Sequence, residues 1–176
     1  MFNRPFMLLI CALIAACPVD AQQLQVYDNN SWGFSVKMPQ TIRYEMDRPP
    51  NPNHGFRIAI SNDSFVWVNG ESTDDPSLKD VADSEIALWQ RQNCMIDAYM
   101  PTLLAHRPAM EIELHCHAGI DKKVSKRIHL LVAFASPSHI GNVAYTIGVA
   151  SLDDEQSYKV AKSTFEIVRN GFQFHK

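Results

Sequence analysis

The chain reads as an α+β protein, an antiparallel β-sheet with an amphipathic central helix and a C-terminal helix packed on it. Three observations carry this reading. Apolar and polar residues alternate from Met110 to Ala118 and again from Ser125 to Phe134, the period of a strand with two unlike faces. Apolar residues recur near the helical period after Asp75-Pro76-Ser77, and again after Asp153-Asp154-Glu155, each time behind acidic residues that favour a helix start. Short apolar runs elsewhere are bounded by turn-forming Asn, Asp, Gly and Pro.

The first residues belong to export rather than to the fold. Met1 to Pro5 is polar with one positive charge, Phe6 to Ala16 is apolar, and Val19-Asp20-Ala21 follows Pro18 as a small-x-small cleavage site. Residues 1–21 are therefore expected to be a signal peptide and residues 22–176 a single α+β domain in the periplasm or secreted. The alternative is Ile14-Ala15-Ala16-Cys17 read as a lipobox, which would make the protein a membrane-anchored lipoprotein with its lipid on Cys17. Pro18 directly after a lipidated cysteine argues against that. The apolar run is too short for a stable transmembrane helix, and no later stretch is long enough.

The formal net charge is −3, so no basic excess points to nucleic acid. Cys11 and Cys17 fall outside the folded part with either form of processing, and Cys94 and Cys116 remain. In an oxidising compartment these two are expected to form one disulfide.

From the N-terminus, Leu24 to Tyr27 is a short extended piece and Asp28 to Ser31 a turn. Trp32 to Pro39 is a strand with Phe34, Val36 and Met38 on one face, ended by proline. Ile42 to Met46 continues the sheet edge, and the proline-rich stretch from Arg48 to Gly55 is a loop. Phe56 to Ser61 and Phe65 to Asn69 are strands turned at Asn62-Asp63. Asp75 is the expected N-cap of the central helix, with Pro76 at its first position and Leu78, Val81, Ala82, Ile86 and Trp89 as its apolar stripe.

Met95 to Met100 reads as a short apolar segment broken by Pro101, and Leu103 to Ala109 as an irregular entry to the central hairpin. In that hairpin Ile112, Leu114 and Cys116 face the core, with Ile128, Leu130, Val132 and Phe134 opposite them. Glu111, Glu113, His115, His117, Arg127 and His129 occupy the other, polar face. Asn142 to Val149 is a further strand. The last helix buries Tyr158, Ala161, Phe165 and Val168, carries Arg169 in its last turn, and is expected to stop at Gly171 as its C′ residue.

This order, with "GFSVKMP", "HRPAMEIEL", "NVAYTIGVA" and "FEIVRNGFQF" as its strands and final helix, resembles the PsbP-like fold. That fold is shared by an extrinsic subunit of photosystem II and by bacterial DcrB-like envelope proteins. The resemblance implies a sheet with helices packed against it, used for binding or scaffolding. It brings no shared catalytic residues.

The chemistry of the chain points the same way. No G-x-S-x-G elbow, H-E-x-x-H helix, C-x-x-C pair or glycine-rich phosphate cradle occurs in the sequence, and no cofactor is expected. His115, His117 and His129 are the residues that would hold a metal, because same-face positions two apart on a strand lie about 7 Å apart. A resident metal is not expected. Trp32, His54 and Phe56 are candidate partner contacts as loop-edge aromatics, and Lys122 and Lys123 at the hairpin tip would meet an acidic partner. The expected function is a non-enzymatic periplasmic or envelope-associated protein-binding module. A periplasmic immunity protein that neutralises a secreted toxin is the alternative, and a metal-dependent hydrolase is a distant third.

Overall fold

The structure, a computed structural model, describes residues 23–46, 53–117, 125–136 and 141–175. The expected signal peptide with its rival lipid site at Cys17, most of the proline-rich loop, and Lys122 and Lys123 lie outside the described residues.

Two sheets and two helices make up the described chain. A seven-stranded antiparallel sheet runs in the order β3-β4-β5-β9-β8-β7-β6. Its strands are β3 (Glu45–Met46), β4 (Gly55–Ala59), β5 (Phe65–Ser72), β6 (Cys94–Leu104), β7 (Arg107–His117), β8 (Ser125–Ala135) and β9 (Val143–Leu152). A smaller sheet pairs β1 (Leu24–Asn29), β2 (Phe34–Pro39) and β10 (Phe172–Phe174) in the order β1-β2-β10. Helix α1 (Leu78–Gln90) covers one face of the large sheet, and α2 (Glu155–Gly171) with the small sheet covers the other.

Alternation along the strands divides the core between these two layers. Val66, Val68, Leu131, Ala133, Tyr145, Ile147 and Val149 pack with Phe34, Val36, Met38, Phe165 and Val168 on the α2 side. Ile112, Leu114, Cys116, Ile128, Leu130 and Val132 pack with Val81, Ala82 and Ile86 of α1 on the other. The central strands are thus covered on both faces. The hairpin face expected to be polar is instead roofed by α2, because the sequence places a second amphipathic helix where solvent would otherwise lie.

Four local expectations are corrected. The α1 N-cap is Ser77, whose side chain accepts from the Asp80 backbone N–H, whereas Asp75 bonds with Thr73 and Ser84 before the helix. Ser77 wins because it directly precedes the first helical residue, with extended backbone that aims its hydroxyl back at the first turn. Gly171 is the last residue of α2 rather than a left-handed C′ residue. A Cβ there would lie 1.8 Å from the Lys37 carbonyl oxygen, so the glycine permits close approach of the helix end to β2. The chain then continues as β10, a strand the sequence did not announce.

The fourth correction matters most for function. Residues Met95 to Pro108 are not an irregular connection but most of a long hairpin, β6 and β7, turned by Ala105 and His106. Pro101 is accommodated because β6 is the outer strand of its sheet, where a missing N–H costs no ladder bond when it faces outward. The hairpin register shifts between Ile96 and Ala98, a bulge at Asp97.

Candidate functional site

Strand β6 presents the main exposed apolar surface of the described chain. Met95 (53% exposed), Ile96 (40%), Tyr99 (37%), Met100 (47%) and Leu103 (58%) lie along its length. The strand is held at both ends. Cys94 and Cys116 pair directly across β6 and β7 and are joined by a disulfide, while Leu104 at the other end is buried in the core. The sequence expectation of this bond holds, but its setting differs. It ties two neighbouring strands, with Cα atoms 3.9 Å apart, rather than a helix end to the sheet at the usual separation of about 5.5 Å.

An outer strand of this length would ordinarily invite edge-to-edge pairing. Here the bulge at Asp97 and the missing donor of Pro101 interrupt the outer ladder. The surface is therefore suited to contact through side chains, with Met and Tyr as adaptable and rigid anchors respectively. Tyr99 is fixed by a hydrogen bond from its hydroxyl to Asp83 of α1, 3.3 Å.

The titratable cluster of the central hairpin lies across the sheet from α1. His129 is fully buried, packed on the ring of Phe165 at a centroid distance of 4.7 Å. Its Nε2 lies 2.7 Å from Glu111 Oε1 and its Nδ1 lies 3.5 Å from Glu113 Oε1. Neither nitrogen makes an aligned hydrogen bond, so these are close contacts set off the ring N–H axes. Lys162 reaches Glu113 at 3.5 Å, and Arg169 reaches Glu111 at 3.9 Å and Glu166 at 3.8 Å. Burial, with Lys162 adding to it, lowers the His129 pKa against the opposing pull of Glu111 and Glu113.

The three histidines read as one metal set are not brought together. His129 pairs in register with Glu113, and His115 with Arg127. His115 and His117 stand edge to face, 5.4 Å between ring centroids, and His115 contacts Asp97 at 2.7 Å. The donors that do converge are Glu111, Glu113 and His129, within 4.8 Å of one another. Their chemistry fits a divalent ion poorly, since Lys162 and Arg169 already balance both carboxylates and the two carboxylates address different ring nitrogens.

The aromatic candidates separate on burial. Phe56 is 4% exposed, packed edge-on and tilted against Tyr27 and Tyr44, and offers no surface to a partner; the expectation is corrected because its side chain falls on the core side of β4. Trp32 and His54 do come together, edge to face at 5.3 Å, as a half-buried pair. The turn before Trp32 is pinned by the buried Asn29, which donates to Tyr27 Oη and the Asn53 carbonyl and accepts from the Trp32 backbone N–H. The role of β6 escaped sequence reasoning because its apolar residues surround a proline. The signal that would have found it is that 105 is the midpoint of 94 and 116, so pairing the two cysteines centres a hairpin on Ala105.

These features sit on a PsbP-like α+β fold. The solution structure of cyanobacterial PsbP (CyanoP) from Synechocystis sp. PCC 6803 is similar to this chain with a TM-score of 0.55 and 15% identity, over 93% of this chain and 99% of that one. LpqN, involved in cell envelope biogenesis of Mycobacterium tuberculosis, is similar with a TM-score of 0.62 and 12% identity, over 88% and 91%. The Ran-binding protein Mog1p of Saccharomyces cerevisiae is similar at 0.52 and 7% identity, over 88% and 96%. No protein-family model matches the chain, and no curated protein matches it in sequence. At these identities the likeness is one of fold. Among the described residues no helix is long and apolar enough to cross a membrane.

Proposed function

We propose that this chain is an exported, non-enzymatic binding module of the periplasm or cell envelope that holds another protein along β6. The observation that carries the reading is the set of five large apolar side chains, each 37–58% exposed, that flank an edge strand on both faces, Ile96, Tyr99 and Leu103 on the α1 side and Met95 and Met100 on the α2 side, with the strand anchored by a disulfide at one end and by buried Leu104 at the other. A rigid strand of this kind brings contact area to a partner without the cost of ordering a loop. The apolar leader supports export. The neighbours support a fold used as a scaffold: LpqN is described as taking part in envelope biogenesis and Mog1p as binding Ran. A catalytic role for the histidine face is disfavoured because His129 is fully buried under α2 and out of reach of a substrate.

Affinity purification from the cells that produce the protein tests this. The unaltered chain should retain a stoichiometric partner that the double variant Met100→Asp, Leu103→Asp loses while keeping its melting temperature. A single toxin-like partner would assign the immunity role, and several envelope components the scaffold role. Retention of the same partner by the double variant would remove β6 from the account.

A further inference from the structure

Beside the end of β6 the structure opens a cleft of about 700 Å³ between the β6–β7 turn and the corner where α2 passes into β10. Its lining carries two arginines, Arg107 and Arg169, and two histidines, His106 and His175, with no carboxylate among the lining residues. This stands out in a chain whose net charge is −3. Two of the four are already engaged. Arg169 contacts Glu111 and Glu166, and His175 contacts Asp28 at 2.9 Å. Arg107 and His106 have no acidic partner among the described residues.

Arg107 is also preorganised. Its guanidinium lies over the Phe174 ring, 4.4 Å from the centroid, a cation–π contact that restrains the side chain without using its N–H donors. Those donors match a carboxylate bidentately. The turn that delivers it is itself unusual. Ala105 and His106 are both in the left-handed region, φ 46° and 68°, in a two-residue hairpin loop between Leu104 and Arg107. Asn-Gly relaxes such a turn at lower cost. The chain instead keeps a non-glycine pair that sets His106 on the cleft wall, and strain of this sort is found where a side chain must be aimed.

From this geometry we infer that the cleft is a recognition site for an acidic polypeptide segment, one carboxylate of which pairs with Arg107 while neighbouring apolar side chains lie on Leu103 and β6. The inference rests on the binding-module reading and names the chemistry of the partner. An inorganic anion fits less well, because the cleft joins an exposed apolar residue, Leu103, to its cationic wall.

The probe is a fluorescein-labelled, acetylated hexapeptide alternating glutamate with leucine, with a glutamine-leucine counterpart, followed by fluorescence anisotropy. The glutamate peptide should bind, and the glutamine peptide at least tenfold more weakly. Arg107→Gln should weaken the glutamate peptide tenfold or more. Gln173→Glu, which sets a competing carboxylate on an exposed position of the cleft lining, should do the same without touching Arg107. Equal binding of both peptides, or undiminished binding by the two variants, would overturn the inference. Displacement of the peptide by submillimolar inorganic phosphate would also overturn it, marking a general anion site. If the native partner is still retained through β6 by Arg107→Gln, this inference fails and the binding-module reading stands. If no partner is retained by the unaltered chain, the reading itself fails.

Discussion

Cys94 and Cys116 face one another as direct cross-strand neighbours, and the bond between their sulfurs closes the open end of the β6–β7 hairpin. The Ala105-His106 turn closes the other end, so the exposed apolar side chains lie between two covalent or near-covalent stops. Replacing both cysteines with serine should lower stability by about 3 kcal/mol, read from urea unfolding. Hydrogen exchange should then show loss of protection first in Met95 to Tyr99, the end of β6 that the bond holds. Uniform loss across the large sheet would contradict this placement.

Gly148 and Gly171 both carry close approaches that a methyl group would break, of two different kinds. At Gly148 a Cβ would lie 2.1 Å from the indole of Trp67, its cross-strand neighbour, and at Gly171 it would meet the Lys37 carbonyl oxygen at 1.8 Å. Gly171→Ala is the more severe, because backbone on both sides must move. It should cost at least about 3 kcal/mol, whereas at Gly148 the Trp67 side chain has some freedom to shift. Thermal unfolding of the two variants ranks them.

His129 makes stability depend on pH with a definite sign. Its folded pKa is lowered, chiefly by burial and then by Lys162, so the unfolded chain takes up a proton before the folded one does. Stability is full above the unfolded value of about 6.5 and falls as the pH drops below it. His129→Leu should flatten the profile below about pH 6.5, as measured by urea midpoints. An unchanged slope would mean that His129 is solvated in the folded protein.

Glu85 supplies the opposite sign. Burial raises its pKa against the hydrogen bond it accepts from Thr146, so the folded chain holds this proton longer than the unfolded one. Its contribution is present below the unfolded value of about 4.3 and is lost as the pH rises. Glu85→Gln keeps the Thr146 contact and removes the buried charge. The variant should be at least as stable as the parent at pH 7, with the difference vanishing at pH 4.

Much of the architecture was legible because it depends on local periodicity. The stripe Val81, Ala82 and Ile86, the stripe Ala161, Phe165 and Val168, and the core set Ile112, Leu114 and Ile128 all occupy the faces that their spacing required. What was hidden depends on pairing at a distance. Pro101 breaks an isolated helix or inner strand, and only the position of β6 at the sheet edge makes it harmless. His129 reads as a polar-face residue until α2 is laid over it. The cationic cleft joins residues 103–107 to residues 169–175, segments that meet only after the small sheet receives β10. The disulfide was readable from composition, yet the strand it secures was not.

Site-specific photo-crosslinking in the producing cells tests most directly whether β6 is the contact surface. A photoreactive residue at Met100 or Leu103 should capture one and the same protein, and the same residue at Val160, an equally exposed position on the outer side of α2, should not. Capture from Val160 alone, or of unrelated proteins from each position, would contradict the account.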